Sequence, residues 1–444
     1  MPKILTMLTH EQKISKITHQ LKNRTSTKPL SLKKKSVSHE VPKPDDKKHL
    51  DEKLDVSALN EILHIDPKKR ICIAEPGVTF VDLVAATLKH NLVPIVVPEL
   101  KTITIGGAVA GCSIESMSYK FGGFHDTCLE YEVITAKGDV LICTPENNNK
   151  LIFQMVHGTF GTLGIISKLK FKLISAKPFV KVEYEKYKNL EDYKAAIWGH
   201  FKSKDVDFMD GIIHSDTEYV LSVANFVDKA PYTHSYDWMR IYYKSTKERK
   251  EDYLKTPDYF FRYDKGVTNV NPKSFLGRLL FGKFMSSSQV LRMVEIFRRW
   301  IPSSQIPVTL DVFVPFSKAT NFMNWYKKEV NFFPLWCVPY KAARKYEWIS
   351  SEFFKKTKDD LFLDLAIYGL KKKTDKNYYK IIEDELTDIG GLKTLISGNY
   401  YTEKDFWKTW NKENYEAVKV KTDPGNIFRD LYTKTCRSSR GLDK

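Results

Sequence analysis

The chain has 444 residues, 13% of them aromatic and 28% charged, and its formal net charge at pH 7 is +17. This length accommodates two or three domains with a sizeable core. The basic excess is scattered lysine without a nucleic-acid-binding motif, so we exclude nucleic acid and favour an anionic membrane surface or a phosphate-bearing cofactor.

The N-terminal part of the chain predicts one helix and then an extended segment. Ile14, Ile17 and Leu21 recur at helical spacing within residues 10–23. Residues 24–53 are polar and basic, with three prolines and no glycine, which indicates an extended segment or loop. The first 20 residues contain no apolar run, so we expect neither a signal peptide nor a transmembrane anchor, and a cytoplasmic location.

The cysteines support the same compartment. They form no C-x-x-C pair and no metal-ligand spacing, which indicates reduced thiols and no metal site. The six cysteines are Cys72, Cys112, Cys128, Cys143, Cys337 and Cys436.

Residues 54–174 predict an α+β domain with short strands and two helices. The first helix begins after Thr79, with Asp82 near its positive end and Val78 packed on Leu83. A strand, LVPIVVPE, follows it, and a hairpin is expected at Lys137 and Gly138.

Residues 176–435 differ in composition from the preceding part of the chain. They contain longer aromatic and basic segments such as TLDVFVPF, FPLWCVPY and LFLDLAIYG. Strands alternate with helices, which predicts a sheet covered by helices on one face. We place the domain boundary near Lys177.

The stretch TIGGAVAGCSIES, residues 104–116, contains three glycines and one formal charge, Glu115. Gly106, Gly107 and Gly111 allow successive turns whose N–H groups point at an anion, and a diphosphate or a ribityl chain suits them. The spacing G-G-x-x-x-G differs from the Rossmann fingerprint, which excludes that fold here. A purely structural glycine turn remains the alternative.

Four segments around this stretch carry a family resemblance: EPGVTFVDLV, VPELKTITIGGAVAGCSIES, KFGGFHDTCLEYEVITAKGDVLICTP and HGTFGTLGIISKLKFKL. They resemble the FAD-binding domain of the vanillyl-alcohol-oxidase or PCMH type. Later segments, among them FMDGIIHS, FLDLAIYG and NYYTEKDFWKTWN, resemble the Δ24-sterol reductase (diminuto-like) subfamily, so the likeness runs from about residue 10 to near the end.

The resemblance implies an α+β fold in two parts. Residues 1–176 would form a PCMH-type FAD-binding domain of two small α+β subdomains. Residues 177–444 would form a substrate-binding cap domain with an antiparallel sheet covered by helices, returning to the FAD domain at the C-terminus.

The resemblance also implies the FAD-binding residues. They are Thr104, Ile105, Gly106, Gly107, Ala108, Val109, Ala110, Gly111, Cys112, Ser113, Ile114, Glu115, Ser116, Gly161, Thr162, Leu163, Gly164 and Ile165. His125 and Asp126 would lie close to the cofactor, with His125 a catalytic candidate or else a structural loop histidine.

One region departs from the family pattern. The usual glycine-rich diphosphate loop near the N-terminus corresponds here to PLSLKKKSVSHEVPK, which has no glycine. Lys33 to Lys35, Ser36 and Ser38 could supply charge and hydroxyl groups instead of backbone N–H groups. His39 is a conceivable site of covalent flavin attachment.

The chemistry that the resemblance implies is FAD-dependent transfer of hydride from NADPH to an isolated alkene of a sterol or isoprenoid lipid. Such an alkene has no carbonyl to polarise it, so the site needs a proton donor and aromatic faces that tolerate positive charge. Asp364 and Tyr368 share one side of a predicted strand and are the catalytic candidates. Tyr400 and Tyr401 are secondary candidates. A structural role is the alternative for each.

Two further functions stay open. One is an FAD-dependent oxidase or dehydrogenase of an alcohol or sugar, and the other is a non-catalytic lipid-binding relative. Residues 273–285, KSFLGRLLFGKFM, suit peripheral contact with a membrane through which a lipid enters, although an ordinary buried helix explains them too. The oligomeric state is left open.

Overall fold

The computed structural model describes residues 8–36, 47–236, 240–264, 307–343, 345–371, 375–437 and 442. The α-helices are α1 His10–Lys22, α2 Phe80–Thr87, α3 Ile105–Ala110, α4 Ser118–Phe121, α5 Lys150–Met155, α6 Leu190–Ser203, α7 Tyr242–Ser245, α8 Thr256–Phe260, α9 Ala319–Glu329, α10 Ser351–Lys356, α11 Tyr378–Ile389, α12 Glu403–Thr409 and α13 Lys412–Thr422. Short 3-10 turns lie at Lys47–Leu50, Leu88–His90, Phe124–Thr127 and Phe316–Lys318, and a π-helical turn lies at Thr433–Arg437. Among these helices of the described ranges, none has the length and apolar character that a bilayer crossing requires.

The strands fall into three sheets. They are β1 Leu30–Lys33, β2 Glu52–Asp55, β3 Ile62–Asp66, β4 Ile71–Ala74, β5 Leu92–Pro94, β6 Cys128–Ile134, β7 Val140–Cys143, β8 Ile165–Ser175, β9 Phe179–Tyr187, β10 Phe208–Ser215, β11 Glu218–Val227, β12 Glu251–Lys255, β13 Val308–Pro315, β14 Leu335–Lys341, β15 Leu361–Leu370 and β16 Leu392–Lys393. β1 and β2 form a small parallel pair inside the segment that was expected to be extended.

Helix α1 confirms the first predicted element. Thr9 caps it in a capping box with Gln12. Its apolar face packs with Ile134, Ile165 and Phe428, which come from three distant parts of the chain. The N-terminal helix therefore joins the core of the first domain.

The first large sheet has six antiparallel strands in the order β3-β4-β8-β6-β7, with β5 paired to β8. Helix α2 begins as predicted, since the Thr79 hydroxyl oxygen accepts the N–H of Asp82 at 3.3 Å. The predicted hairpin joins β6 and β7, and Gly138 takes a φ of +79° there. Only glycine adopts this backbone conformation without strain.

The second large sheet has eight antiparallel strands in the order β12-β9-β11-β10-β14-β15-β13-β16. Its outer face packs against α6, α9 and α11 through residues such as Leu365, Ile382 and Phe322. Its inner face contributes Trp336, Tyr340 and other side chains to the apolar cluster of the six-stranded sheet. The expected α+β fold, with helices over an antiparallel sheet, is confirmed.

The chain leaves the first sheet after Ser175 and enters the second at Phe179, so residue 177 lies in the connection. It returns to the first domain near its end. Lys419 in α13 donates hydrogen bonds to the carbonyl oxygen of Thr162 at 2.9 Å and to that of Phe428 at 2.7 Å.

Candidate active site

The glycine stretch folds as a short helix, α3, rather than as successive turns. Thr104 caps it, its hydroxyl oxygen accepting the N–H of Gly107 at 3.2 Å. The N–H of Gly106 donates to the carbonyl oxygen of Pro76 at 2.9 Å and that of Gly111 to the carbonyl oxygen of Gly107 at 2.9 Å. The N–H groups of Ile105, Ala108, Cys112 and Ser113 are likewise bonded within the chain. The prediction that these amides point at an anion is therefore wrong for these positions.

The glycines differ in what a side chain would meet. A Cβ on Gly106 would lie 2.5 Å from the Cβ of Pro76, so the packing of the protein itself requires glycine there. A Cβ on Gly107 would meet only the Thr104 hydroxyl oxygen, at 3.2 Å, and one on Gly161 only the Gly164 carbonyl oxygen, at 3.9 Å. Gly107 and Gly161 therefore border space that no neighbouring side chain of the described residues fills, which would suit a cofactor.

The second predicted cofactor segment lies against α3. The N–H of Phe160 donates to the carbonyl oxygen of Ala110 at 3.2 Å. Thr162 faces α13, since its hydroxyl accepts a hydrogen bond from Tyr415 at 2.9 Å. Leu163 and Ile165 are buried in the core, and Gly164 packs on Val133. Of these five residues, Gly161 is the one that borders open space.

The other residues of the stretch divide between core and interface. Ile105, Ala108 and Val109 are buried in the apolar cluster, whereas Ala110, Cys112, Ser113 and Ile114 are half-buried. The carbonyl oxygen of Ser116 accepts the N–H of Met209, in β10, at 2.8 Å. The stretch therefore connects the first domain to the eight-stranded sheet.

His125 lies in a buried cluster of rings. Its centroid is 5.0 Å from that of His157 and 5.5 Å from that of Tyr346. Its Nε2 is 3.3 Å from Asp126 Oδ2, which also accepts the Tyr346 hydroxyl at 2.9 Å. No pattern in the sequence indicated His157 or Tyr346 as neighbours of His125. His125 remains a predicted site residue in a cluster that also ties the two domains together.

Asp364 and Tyr368 lie on the inner face of the eight-stranded sheet, as alternation along β15 predicts. In the register of β13 and β15, Asp311 is opposite Ala366, midway between them. The Tyr368 hydroxyl donates to Asp311 Oδ1 at 2.6 Å, and Asp364 Oδ1 has no hydrogen-bond partner among the described residues. Three acidic or phenolic side chains therefore meet on the inner face of the sheet, among its apolar residues.

Glu99, in the loop before the glycine stretch, interacts with this group. Burial raises its pKa to about 8, and the charges of Glu115 and Asp311 add to the effect. The residue as a whole is half-buried, and it precedes the cap of α3 by five positions.

The pKa values of Asp311, Asp364 and Tyr368 are raised as well. Burial raises the pKa of Asp311 to about 6, although the hydrogen bond from Tyr368 opposes the rise. Burial, Asp311 and Glu99 together hold the pKa of Asp364 well above its usual range. Burial and Asp311 also raise the pKa of Tyr368, so its hydroxyl stays protonated. With a pKa of about 8, Glu99 keeps most of its proton at pH 7, whereas Asp311, with a pKa of about 6, is mostly ionised.

A buried ion pair adjoins the acidic group. Arg262 Nη2 lies 2.9 Å from Asp210 Oδ1 and 3.2 Å from Glu115 Oε1. Asp210 Oδ2 also accepts from Trp336 Nε1 at 2.9 Å and from the Tyr263 hydroxyl at 2.7 Å. Glu115, a predicted cofactor residue, thus has its charge matched within the protein. In the described part of the chain, no group of His, Cys, Asp or Glu side chains has the arrangement of a metal site.

The sequence carried a signal for some of these residues and none for others. Asp210 in FMDGIIHS and Asp311 in TLDVFVPF are single charges inside apolar strands, a pattern that marks a buried functional carboxylate. Glu99 and Arg262 carry no such mark, because only the tertiary fold brings them to the site.

The secondary candidates Tyr401 and Tyr400 adjoin the buried ion pair of Lys393 with Glu383. The Lys393 ammonium is 5.9 Å from the Tyr401 ring, and the N–H of Tyr400 donates to Glu383. Lys33 forms an ion pair with Asp55 at 2.8 Å. Ser38, His39 and residues 273–285 lie outside the described residues.

Comparison with known proteins finds one matching family and several similar proteins. Residues 48–144 match the FAD binding domain family. The chain is 26% identical over 404 residues to Delta(24)-sterol reductase of Homo sapiens, covering 86% of this chain and 77% of that protein. It is 24% identical over 487 residues to Delta(24)-sterol reductase of Pisum sativum, covering 98% and 85%. It is 31% identical over 144 residues to Cytokinin dehydrogenase 5 of Arabidopsis thaliana, covering 32% and 26%.

Proposed function

The chain belongs to the FAD-binding oxidoreductases, and we propose that it reduces an isolated carbon–carbon double bond of a sterol or another isoprenoid lipid with NADPH as the electron donor. The similarity to Delta(24)-sterol reductases along most of the chain supports this choice of reaction. The similarity to Cytokinin dehydrogenase 5 covers only 144 residues and supports the cofactor alone.

The observation that carries the proposal is the group of Asp311, Asp364 and Tyr368 on the inner face of the sheet, with Glu99 of the loop before α3 interacting electrostatically with it. Reducing an isolated alkene adds hydride to one carbon and a proton to the other. Carboxyl groups that are still protonated near neutral pH suit this step.

The residues bordering open space fit FAD. Gly107 in α3 and Gly161 beside it would let the cofactor approach the backbone closely, and Thr104 to Ser116 would line it. When bound there, FAD supplies two-electron chemistry, accepting hydride from the nicotinamide and passing it to carbon. This use of the predicted cofactor residues is part of the proposal.

The inner face of the sheet suits the hydrocarbon part of the proposed lipid substrate. Phe313 and Tyr340 pack edge to face with centroids 5.4 Å apart, and Phe362 and Trp336 are buried on the same face. Aromatic faces stabilise the positive charge that develops when an alkene is protonated. A hydrocarbon chain could lie along this surface with its double bond at the acidic group.

The location of the protein belongs to the proposal as well. A net charge of +17 supports peripheral contact with an anionic membrane, from which the lipid would be taken. No partner protein or nucleic acid is needed for the proposed reaction.

The test is an anaerobic titration of the purified protein. We expect flavin absorption bands, bleaching of these bands by NADPH, and their return on adding a Δ24-sterol or a polyprenyl alcohol in detergent micelles. Absence of the bands would favour the non-catalytic lipid-binding alternative. Bleaching by an alcohol or sugar, and not by NADPH, would favour the oxidase or dehydrogenase alternative.

A further inference from the structure

We propose that His10 and Lys13, on the N-terminal helix α1, are positioning residues for FAD that act through Glu75. The inference rests on the proposed function, since it concerns the cofactor proposed to lie beside α3. Helix α1 lies outside residues 48–144, the part of the chain that matches the FAD binding domain family. A segment that precedes the match would therefore belong to the cofactor site.

Glu75 is a buried carboxylate that α1 holds in place. Its Oε1 lies 2.9 Å from His10 Nδ1, and its Oε2 accepts from Lys13 Nζ at 2.9 Å. Oε2 also accepts the backbone N–H of Glu61 at 2.9 Å. Glu75 is 0% exposed, and a carboxylate at such a site is stable only beside a cation and hydrogen-bond donors. The position of the Glu75 side chain therefore depends on α1.

The backbone that follows Glu75 packs directly against α3. The carbonyl oxygen of Pro76 accepts the N–H of Gly106 at 2.9 Å. The Pro76 ring lies so close to Gly106 that a Cβ added to the glycine would be 2.5 Å from the Pro76 Cβ. Gly106 immediately precedes Gly107, which borders the space proposed for FAD. A shift of Glu75 would move Pro76 and, through it, the wall of that space.

The network around α1 has a second half that does not lead to α3. Glu132, on β6, lies 2.8 Å from His10 Nε2 and accepts from Ser167 and Lys168, each at 2.8 Å. The Glu132 side chain thus ties α1 to the six-stranded sheet, whereas the Glu75 side chain ties it to the loop beside α3. Loss of either contact should cost stability, but only loss of the Glu75 contact should weaken FAD binding.

The experiment measures the FAD affinity of the full chain with single substitutions in each half of this network. FAD that is released on dilution regains the fluorescence of free flavin, and this recovery gives the dissociation constant. Lys13→Met removes the lysine cation from Glu75, so we expect the dissociation constant to rise about fivefold or more. Lys13→Arg keeps a cation there and should bind FAD nearly as the wild type does.

Two controls separate positioning from a general loss of stability. Lys16→Met removes a lysine from the exposed side of the same helix and should change neither FAD affinity nor stability. Glu132→Gln should lower the free energy of unfolding without changing FAD affinity. An equal loss of affinity in Glu132→Gln and Lys13→Met would overturn the assignment, and so would a folded Lys13→Met variant with wild-type affinity.

A measurement on the wild type does not depend on the folding of any variant. Coupling between two sites is reciprocal, so bound FAD must stabilise the docking of α1 if α1 supports the binding of FAD. Hydrogen exchange of the amides in α1 should therefore slow on FAD binding by more than that of α11, which packs on the outer face of the eight-stranded sheet. Equal slowing in the two helices would contradict the inference.

The outcomes also separate this inference from the proposed function. A wild type that binds no FAD would refute both. FAD affinity that depends on Lys13, in a protein that no alkene reoxidises after bleaching by NADPH, would refute the proposed reaction and leave the role of α1 standing. Reoxidation by a Δ24-sterol together with an FAD affinity insensitive to Lys13→Met would do the reverse.

Discussion

Tyr368 donates its single hydroxyl proton to Asp311 Oδ1 over 2.6 Å. Tyr368 cannot protonate a substrate while its proton is held in this hydrogen bond. The bond to Asp311 must break first. We therefore expect Tyr368→Phe to lower the rate of reoxidation by a Δ24-sterol by no more than about tenfold, far less than the loss of a general acid. Stopped-flow reoxidation measures this. A loss of about 100-fold or more in Tyr368→Phe would instead make Tyr368 the proton donor.

Gly107→Val should prevent the protein from retaining FAD. Valine has about the helix propensity of glycine or better, so α3 should form, but its branched side chain would fill the open space beside the backbone. The measurement is the ratio of flavin to protein absorbance after gel filtration, which we expect to fall about tenfold or more.

The control for this variant is Gly199→Val. Gly199 is also helical, and a Cβ there meets nothing within 4 Å because the residue is exposed on α6. Its flavin content should equal that of the wild type. A folded Gly107→Val variant that remains yellow would contradict the placement of the cofactor beside α3.

Arg262→Met should lower the free energy of unfolding by about 3–5 kcal/mol, since it leaves Asp210 and Glu115 buried without their cation. Urea denaturation monitored by circular dichroism measures this. Replacing the carboxylates as well, with Glu115→Gln and Asp210→Asn, should recover most of the loss. A triple variant no more stable than Arg262→Met would show that packing of the guanidinium against its tyrosines matters more than its charge.

Glu132 should make stability depend on pH. Burial alone would raise the pKa of Glu132, but hydrogen bonds from Lys168, His10 and Ser167 outweigh it, and the pKa is lowered on folding. A lowered pKa in the folded protein stabilises it above the unfolded pKa of 4.5, and this contribution is lost as the pH falls through the folded value.

The Glu132→Gln variant checks this sign. At pH 7 its free energy of unfolding should be lower than that of the wild type by about 1–3 kcal/mol, and at pH 3.5 the difference should be smaller. Glu130→Gln, on the same strand, is the control and should change stability little at either pH. A Glu132→Gln deficit that does not shrink on acidification would rule out ionisation as its cause.

Sequence patterns correctly predicted those features that depend only on neighbouring residues in the chain. The Thr79 cap and the alternation that puts Asp364 and Tyr368 on one face are of this kind. Helix α3 was missed because two glycines argue against a helix. The Thr104 cap and the burial of Ile105 and Val109 override that propensity.

The site itself depends on pairing that one sequence does not display. Asp311 reaches Tyr368 because β13 and β15 are neighbours, although 57 positions separate the two residues. Glu99 approaches them only because the loop before α3 faces the eight-stranded sheet. A lone acidic residue in a loop has no periodicity, so sequence reasoning had no basis for selecting it.

The inner face of the eight-stranded sheet and the six-stranded sheet contribute to one apolar cluster, which also contains Ile105, Ala108 and Val109 of α3. A fragment ending at residue 176 would leave that surface in water and should aggregate. Under the proposed function, a substitution at Trp336 or Phe362 that admits a different lipid would also change the cluster that contains α3. Substrate range and cofactor retention would then change together.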